Sequence, residues 1–121
     1  MQEPSITLPF KIPDLFGGFA EVRGLARADR SQILLEFYLK ETLLGVLKDQ
    51  TKELLIPQPE IDFVRHERGW FADRVHLRVK SLKWLQNLPG GDHGGEIKLR
   101  VSKRDRSRAV EFVQILEKPA T

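Results

Sequence analysis

The stretch RVHLRVK at residues 74–80 alternates basic and apolar residues without interruption. A period of two is typical of a β-strand with one face in a core and the other in water. The pattern predicts that Val75, Leu77 and Val79 point inward. The outward side chains would form a basic row of Arg74, His76, Arg78 and Lys80. We therefore expect the rest of the chain to supply elements that close around the inner face of this strand.

The composition favours one globular domain. The chain has 121 residues, of which 40% are hydrophobic and 31% are charged, and this length suits a single core. The absence of cysteine excludes disulfides and thiolate metal sites. The chain contains no run of about 18 apolar residues, and its first residues lack the basic and apolar regions of a secretory signal. We therefore expect a cytoplasmic protein with no transmembrane segment.

Positive charge is concentrated in one part of the chain. Residues 65–108 hold 12 basic and five acidic side chains, net +7, whereas residues 1–64 are net −3. Such asymmetry marks either a surface for phosphates or anionic lipid, or the solvated face of alternating strands. The solvated face is the commoner meaning of this pattern.

Several other segments have the pattern of strands. They cover residues 20–28, 32–41, 43–48, 53–56, 60–67 and 96–103. A tight turn at residues 28–31 should join the first two as an antiparallel hairpin, since Asp and Ser side chains bond to nearby backbone. Good helix formers make a helix over residues 40–55 the competing interpretation, which Gly45 and the lack of a cap argue against.

The period changes after Lys103, which predicts a helix that begins near Asp105 and ends by Lys118. Asp105 can cap its first turn, and Pro119 stops it. One apolar stripe at helical spacing consists of Ala109, Phe112, Val113 and Leu116. A shorter helical piece of one or two turns is expected within residues 81–88, around Trp84. The long helix should cap an open end of the sheet.

Residues 1–19 are predicted to form an irregular N-terminal arm, because Pro4, Pro9 and Pro13 remove backbone donors and Gly17 and Gly18 remove stiffness. The arm is too apolar to stay free in water. It is expected to lie on its own domain or on a neighbouring subunit, and the second alternative predicts self-association into a homo-oligomer.

The connection at residues 68–73 contains two adjacent aromatics, Trp70 and Phe71. They either cover one end of the core, which is the commoner outcome, or are exposed for a partner. His66, His76 and His93 show no metal-ligand spacing and are interpreted as surface residues. Nucleophile elbows and phosphate-binding loops are also missing from the sequence. We expect no enzymatic activity, no metal and no cofactor.

The strand order followed by one terminal helix resembles a bacterial PH-like domain, a member of the pleckstrin-homology or GRAM-like superfold. The resemblance spans residues 20–118 and is most evident in LLIPQPEIDFVRHERGWFADRVHLRV at residues 54–79. It implies a mainly β fold, a small bent antiparallel barrel or sandwich of about seven strands capped by one C-terminal helix. It also implies binding or assembly, since catalysis is rare in this superfold. The tight turn at residues 28–31 replaces the long basic loop of lipid-binding relatives, which argues against familiar phosphoinositide binding.

Two functions remain open. The first is a noncatalytic PH-like module that binds a protein partner or assembles with itself. The second is a small barrel that binds nucleic acid or an anionic lipid surface through its basic strand face. The candidate binding surface comprises Arg74, His76, Arg78, Lys80, Lys98, Arg100 and Arg104.

Overall fold

The computed structural model describes residues 4–41, 51–89 and 94–117, and these form seven strands and one α-helix. The strands are β1 Ile6–Leu15, β2 Ala20–Ala28, β3 Gln32–Glu41, β4 Lys52–Pro57, β5 Ile61–Glu67, β6 Ala72–Val79 and β7 Glu96–Ser102, and the helix is α1 Arg106–Glu117. All neighbouring strands are antiparallel, in the order β4-β3-β2-β1-β7-β6-β5. The predicted mainly β class with about seven strands and one C-terminal helix is confirmed.

The sheet is unclosed in its described part but strongly curled. β4 and β5 lie at its opposite edges, yet only the short 3-10 turn Gln58–Glu60 connects them. Gln58 donates its backbone N–H to Ser31 and its side-chain amide to the carbonyl of Leu116. Lys80 donates its N–H to the carbonyl of Glu60. The connection therefore lies against the β2–β3 turn, the end of β6 and the end of α1, which brings both edges of the sheet to one corner.

The core fills the inner face of this curled sheet. Val75, Leu77 and Val79 of the basic strand are buried there, as the alternation predicts. α1 packs against β1 and β5 and buries the predicted stripe, in which Phe112 is fully buried. α1 begins at Arg106, directly after a 3-10 turn at Lys103–Asp105. This agrees with the predicted helix that begins near Asp105.

The hairpin of β2 and β3 has the predicted bounds. Asp29 stabilises its turn, since its Oδ1 accepts hydrogen bonds from the backbone and hydroxyl of Ser31 and from the N–H of Gln32. β4 confirms the predicted strand at residues 53–56 and excludes the competing helix there. The predicted strand at residues 43–48 lies outside the described residues.

The prediction of an irregular N-terminal arm is wrong. Residues 6–15 form β1, which lies in the middle of the sheet between β2 and β7. Leu8, Phe10 and Ile12 are buried in the core. Prolines are usually confined to sheet edges because they lack an N–H donor. Here β1 shares a single register pair with β7, so that side requires few donors, and β1 retains two prolines.

Candidate anion-binding face

The antiparallel pairing of β6 and β7 joins two of the predicted basic rows. Arg74 lies opposite Arg100, and His76 lies opposite Lys98, on the outer face of the sheet. β5 adds Arg65 directly opposite His76. Because residues opposite each other in neighbouring strands have Cβ atoms about 5 Å apart, these side chains form one surface.

β1 and β2 extend this surface with two more cations. Lys11 of β1 lies opposite Arg100 on one side and opposite Arg23 of β2 on the other. Arg23, Lys11, Arg100 and Arg74 therefore stand on four successive strands, and we call these four residues the cation row. With neighbouring strands about 4.8 Å apart, the cation row spans about 15 Å across the sheet. A linear arrangement of this kind suits a ligand with several anionic groups.

Acidic side chains stand at both ends of the cation row. Glu21 accepts a 3.0 Å hydrogen bond from Arg23, and Glu67 lies 3.8 Å from Arg74. Burial disfavours the charged form of Glu21, but the hydrogen bond from Arg23 and the charges of Arg23 and Lys11 lower its pKa below the ordinary value. The field of the basic face thus favours negative charge beside it.

Two clefts flank the seam between β1 and β7. The larger has a volume of about 510 Å³ and is lined by Lys11, Arg100 and Arg104 together with Glu21 and Asp105. The smaller has a volume of about 420 Å³, and its charged lining consists of Arg74, Lys98, Arg100, Asp14 and Glu96. Because the seam has a single register pair, the strands diverge on either side of it and leave this space. Arg100 faces both clefts.

The prediction that His76 belongs to an exposed row is wrong. His76 points to the outer face, but it is only 5% exposed because long charged side chains of β5 and β7 surround it. Its Nε2 donates a 3.1 Å hydrogen bond to Oε1 of Glu67, and its Nδ1 lies 3.9 Å from Oε1 of Glu96. The hydrogen bond from His76, with the charges of Arg74 and Arg65, holds the pKa of Glu67 below its ordinary value. His76 therefore lies beneath the exposed side chains of this face, where it holds Glu67 in position.

The other sequence-predicted residues lie at different positions on this face. Arg78 is half-buried, with its guanidinium 5.7 Å from the ring centre of Phe63. Lys80 is exposed and follows the end of β6. Arg104 is exposed and lines the larger cleft. Arg74, Lys98, Arg100 and Arg104 are thus the predicted residues that line the two clefts.

A buried carboxylate that the sequence analysis missed connects the sheet to α1. Asp73 is fully buried and accepts two 2.8 Å hydrogen bonds from Arg106. It also accepts one from the N–H of Gly69, and its Oδ2 lies 2.7 Å from Nε2 of His66. The two bonds from Arg106, against the opposing effect of burial, hold the pKa of Asp73 far below its ordinary value. The alternation at residues 74–80, extended one residue back, would have placed Asp73 on the inner face.

Two aromatic positions also differ from expectation. Trp70 is 86% exposed and Phe71 is 89% exposed, so neither covers the core. Trp84 lies within the 3-10 turn Leu82–Leu85, where a short helical piece was predicted. It packs against the core and donates a 2.9 Å hydrogen bond to Glu60. The predicted surface position of His66 is wrong as well, because its side chain is largely buried beside Asp73.

Among the described residues, no three His, Asp or Glu side chains converge on a point that could hold a metal ion. His93 lies outside those residues. In the same ranges, no helix is long and apolar enough to cross a lipid bilayer.

Comparisons of the chain with protein-family models, with curated proteins and with solved structures found no match.

Proposed function

We propose that this chain is a noncatalytic, PH-like binding module, cytoplasmic and bacterial, whose ligand carries several negative charges. The strand order supports the PH-like assignment, since a four-stranded and a three-stranded meander are followed by one helix. The ligand would bind on the outer face, across strands β2, β1, β7 and β6. The single observation that carries this proposal is the cation row.

The cation row is costly for the fold alone. Like charges directly opposite each other on neighbouring strands are destabilising, and Arg23, Lys11, Arg100 and Arg74 make three such pairs in succession. Glu21 and Glu67 offset part of this repulsion at the two ends of the row. Arg74 and Arg100 belong to the basic part of the chain, residues 65–108, but Lys11 and Arg23 come from residues 1–64, which are net −3, so one biased segment of composition does not account for the alignment of all four. A bound polyanion would turn this repulsion into attraction.

Fluorescence polarisation with labelled single-stranded DNA and RNA, together with sedimentation of anionic vesicles, tests the proposal over a salt series. We expect at least one of these probes to bind at low salt and to be released as salt rises. The double variant Arg74→Gln/Arg100→Gln should bind much more weakly. Arg27→Gln is the matched control, because Arg27 is exposed on the same face but lies opposite Thr7 and Leu34. If no probe binds, or the double variant binds as the wild type does, the proposal is wrong.

Assembly through a sheet edge is a second candidate function. β4 and β5 end the described sheet, and strand edges of this kind pair in many symmetric dimers. Light scattering at micromolar concentration measures the mass directly. A dimer whose mass survives the Arg74→Gln/Arg100→Gln change would favour edge pairing as a function separate from the basic face.

A further inference from the structure

The loop between β5 and β6 carries two adjacent aromatics that contact little of the protein. We call residues 68–71 the aromatic loop. Trp70 and Phe71 expose 86% and 89% of their surface, more than any other large hydrophobic residue that the structure describes. Two such rings in water do not contribute the stabilisation that burial provides. Their exposure therefore indicates a function other than stabilising the fold.

The aromatic loop is held in place at its base. Gly69 donates its N–H to Asp73 and accepts a hydrogen bond from Arg106 through its carbonyl oxygen. A Cβ at position 69 would collide with the carbonyl oxygen of Ala72, so the close approach of the backbone requires glycine. Asp73 and Arg106 are themselves bonded to each other. These hydrogen bonds hold the base of the aromatic loop in place, while the two rings project into solvent.

Cations stand on both sides of the two rings. A cleft of about 270 Å³ beside Trp70 is lined by Arg68, Lys103 and Arg106. Phe71 lines the larger of the two seam clefts together with Arg104 and two members of the cation row. That cleft also contains Glu21 and Asp105, so the surroundings of Phe71 are mixed, with cations in excess. The aromatic loop and the cation row are therefore neighbouring parts of one surface.

We propose that the multiply anionic partner is a lipid bilayer, into whose headgroup region the aromatic loop inserts Trp70 and Phe71. The inference rests on the proposed function, because it names the partner of the basic face. Trp is enriched at membrane interfaces, where an amphipathic ring sits at the level of the headgroups. Nearby Lys and Arg are attracted to anionic lipids. A nucleic acid fits less well, because both rings stand on the loop between β5 and β6 and are 86% and 89% exposed, whereas the cation row that would track a nucleic-acid backbone crosses the outer face of the strands.

The test uses the full chain with vesicles of phosphatidylcholine and phosphatidylserine, and vesicles of phosphatidylcholine alone. We expect sedimentation with the anionic vesicles, weaker binding to the neutral ones, and partial release by salt. The variant Trp70→Ser/Phe71→Ser should lose about tenfold or more in vesicle affinity, because burial of one ring is worth at least that factor. Both side chains are exposed, so the fold should be unaffected. Phe19→Ser is the matched control, since Phe19 is an exposed aromatic in the β1–β2 connection.

Tryptophan fluorescence supplies an independent readout of insertion. The chain has two tryptophans, and Trp84→Phe leaves Trp70 as the sole reporter. Its emission should shift to shorter wavelength with anionic vesicles and should be quenched by brominated lipid. Unchanged emission, or equal loss of binding in the Phe19→Ser control, would overturn the inference. Binding to nucleic acid but not to vesicles would overturn it while leaving the proposed function standing, and no binding to any anionic probe would overturn both.

Discussion

Asp73→Asn should destabilise the fold strongly, because it removes one charge of a buried ion pair and keeps the size of the side chain. The carboxylate is fully buried and accepts two hydrogen bonds from Arg106. An amide offers one acceptor oxygen and turns its NH₂ group toward a donor. Breaking a buried pair in this way costs about 3–5 kcal/mol. Since the side chain of Arg106 is 30% exposed and can regain water, we expect the lower end, about 3 kcal/mol.

Urea denaturation measures this loss. With a slope of about 1–3 kcal/mol per M, the midpoint should fall by about 1–3 M. Asp62→Asn is the control for charge removal, because Asp62 is exposed on β5. A double-mutant cycle with Arg106→Gln should show that the second change costs much less once the first is present. A midpoint for Asp73→Asn close to that of Asp62→Asn would refute the buried pair.

The destabilisation should also depend on pH in one direction. The pKa of Asp73 is lower in the folded protein than its ordinary value of 3.8, because Arg106 stabilises the charged form. Its contribution to stability is therefore complete above that ordinary value and declines as the pH falls toward the folded-state pKa. The gap in unfolding free energy between wild type and Asp73→Asn should be full at about pH 7 and smaller at about pH 3. A gap that widens on acidification would contradict the assignment.

Three further changes test the fold and the cost of the basic face. Phe112→Ala should lower the free energy of unfolding by about 3–5 kcal/mol, measured by thermal or urea denaturation, because its ring is fully buried. Val110→Ala, at an exposed position of the same helix, should have little effect, and equal effects would mean that α1 does not cap the core. Gly24→Ala should destabilise by about 1–3 kcal/mol, since its Cβ would collide with a carbonyl oxygen of β3; a neutral result would place β2 and β3 farther apart. Arg100→Thr should raise the unfolding free energy by about 0.5 kcal/mol relative to Arg27→Thr, because it relieves like-charge pairs; a net loss would show that the pairs do not repel.

Local periodicity was sufficient to predict most of the strands. β2 and β3 have the expected bounds because alternation, a polar turn and β-favouring residues all agree within one hairpin. β1 was missed because Pro9 and Pro13 argue against a central strand, although Ile6, Leu8, Phe10 and Ile12 alternate with the intervening residues as a strand would. β1 tolerates the two prolines because it shares only one register pair with β7 and needs few backbone donors on that side. This pairing joins residues 11 and 100, which are far apart in the chain. Local sequence patterns do not predict such a long-range pairing.

The candidate site was predictable in part for the same reason. Alternation placed Arg74 and Arg100 on the outer faces of two strands, and the structure shows that these strands, β6 and β7, pair. Lys11 could not be assigned to the face once its segment was taken for an arm. The burial of His76 depends on long neighbours from two other strands. The exposure of Trp70 is contrary to the usual tendency of aromatics in a turn to cover a core.

The salt dependence of polyanion binding tests the central claim most directly. A cation row that makes four contacts with labelled single-stranded DNA should give a slope of log affinity against log salt of about −3, since each contact contributes about 0.7. We predict that Arg100→Gln reduces the magnitude of this slope by about 0.7 and that Arg27→Gln leaves it unchanged. An equal slope in all three proteins would contradict the assignment of the cation row as the anion-binding site.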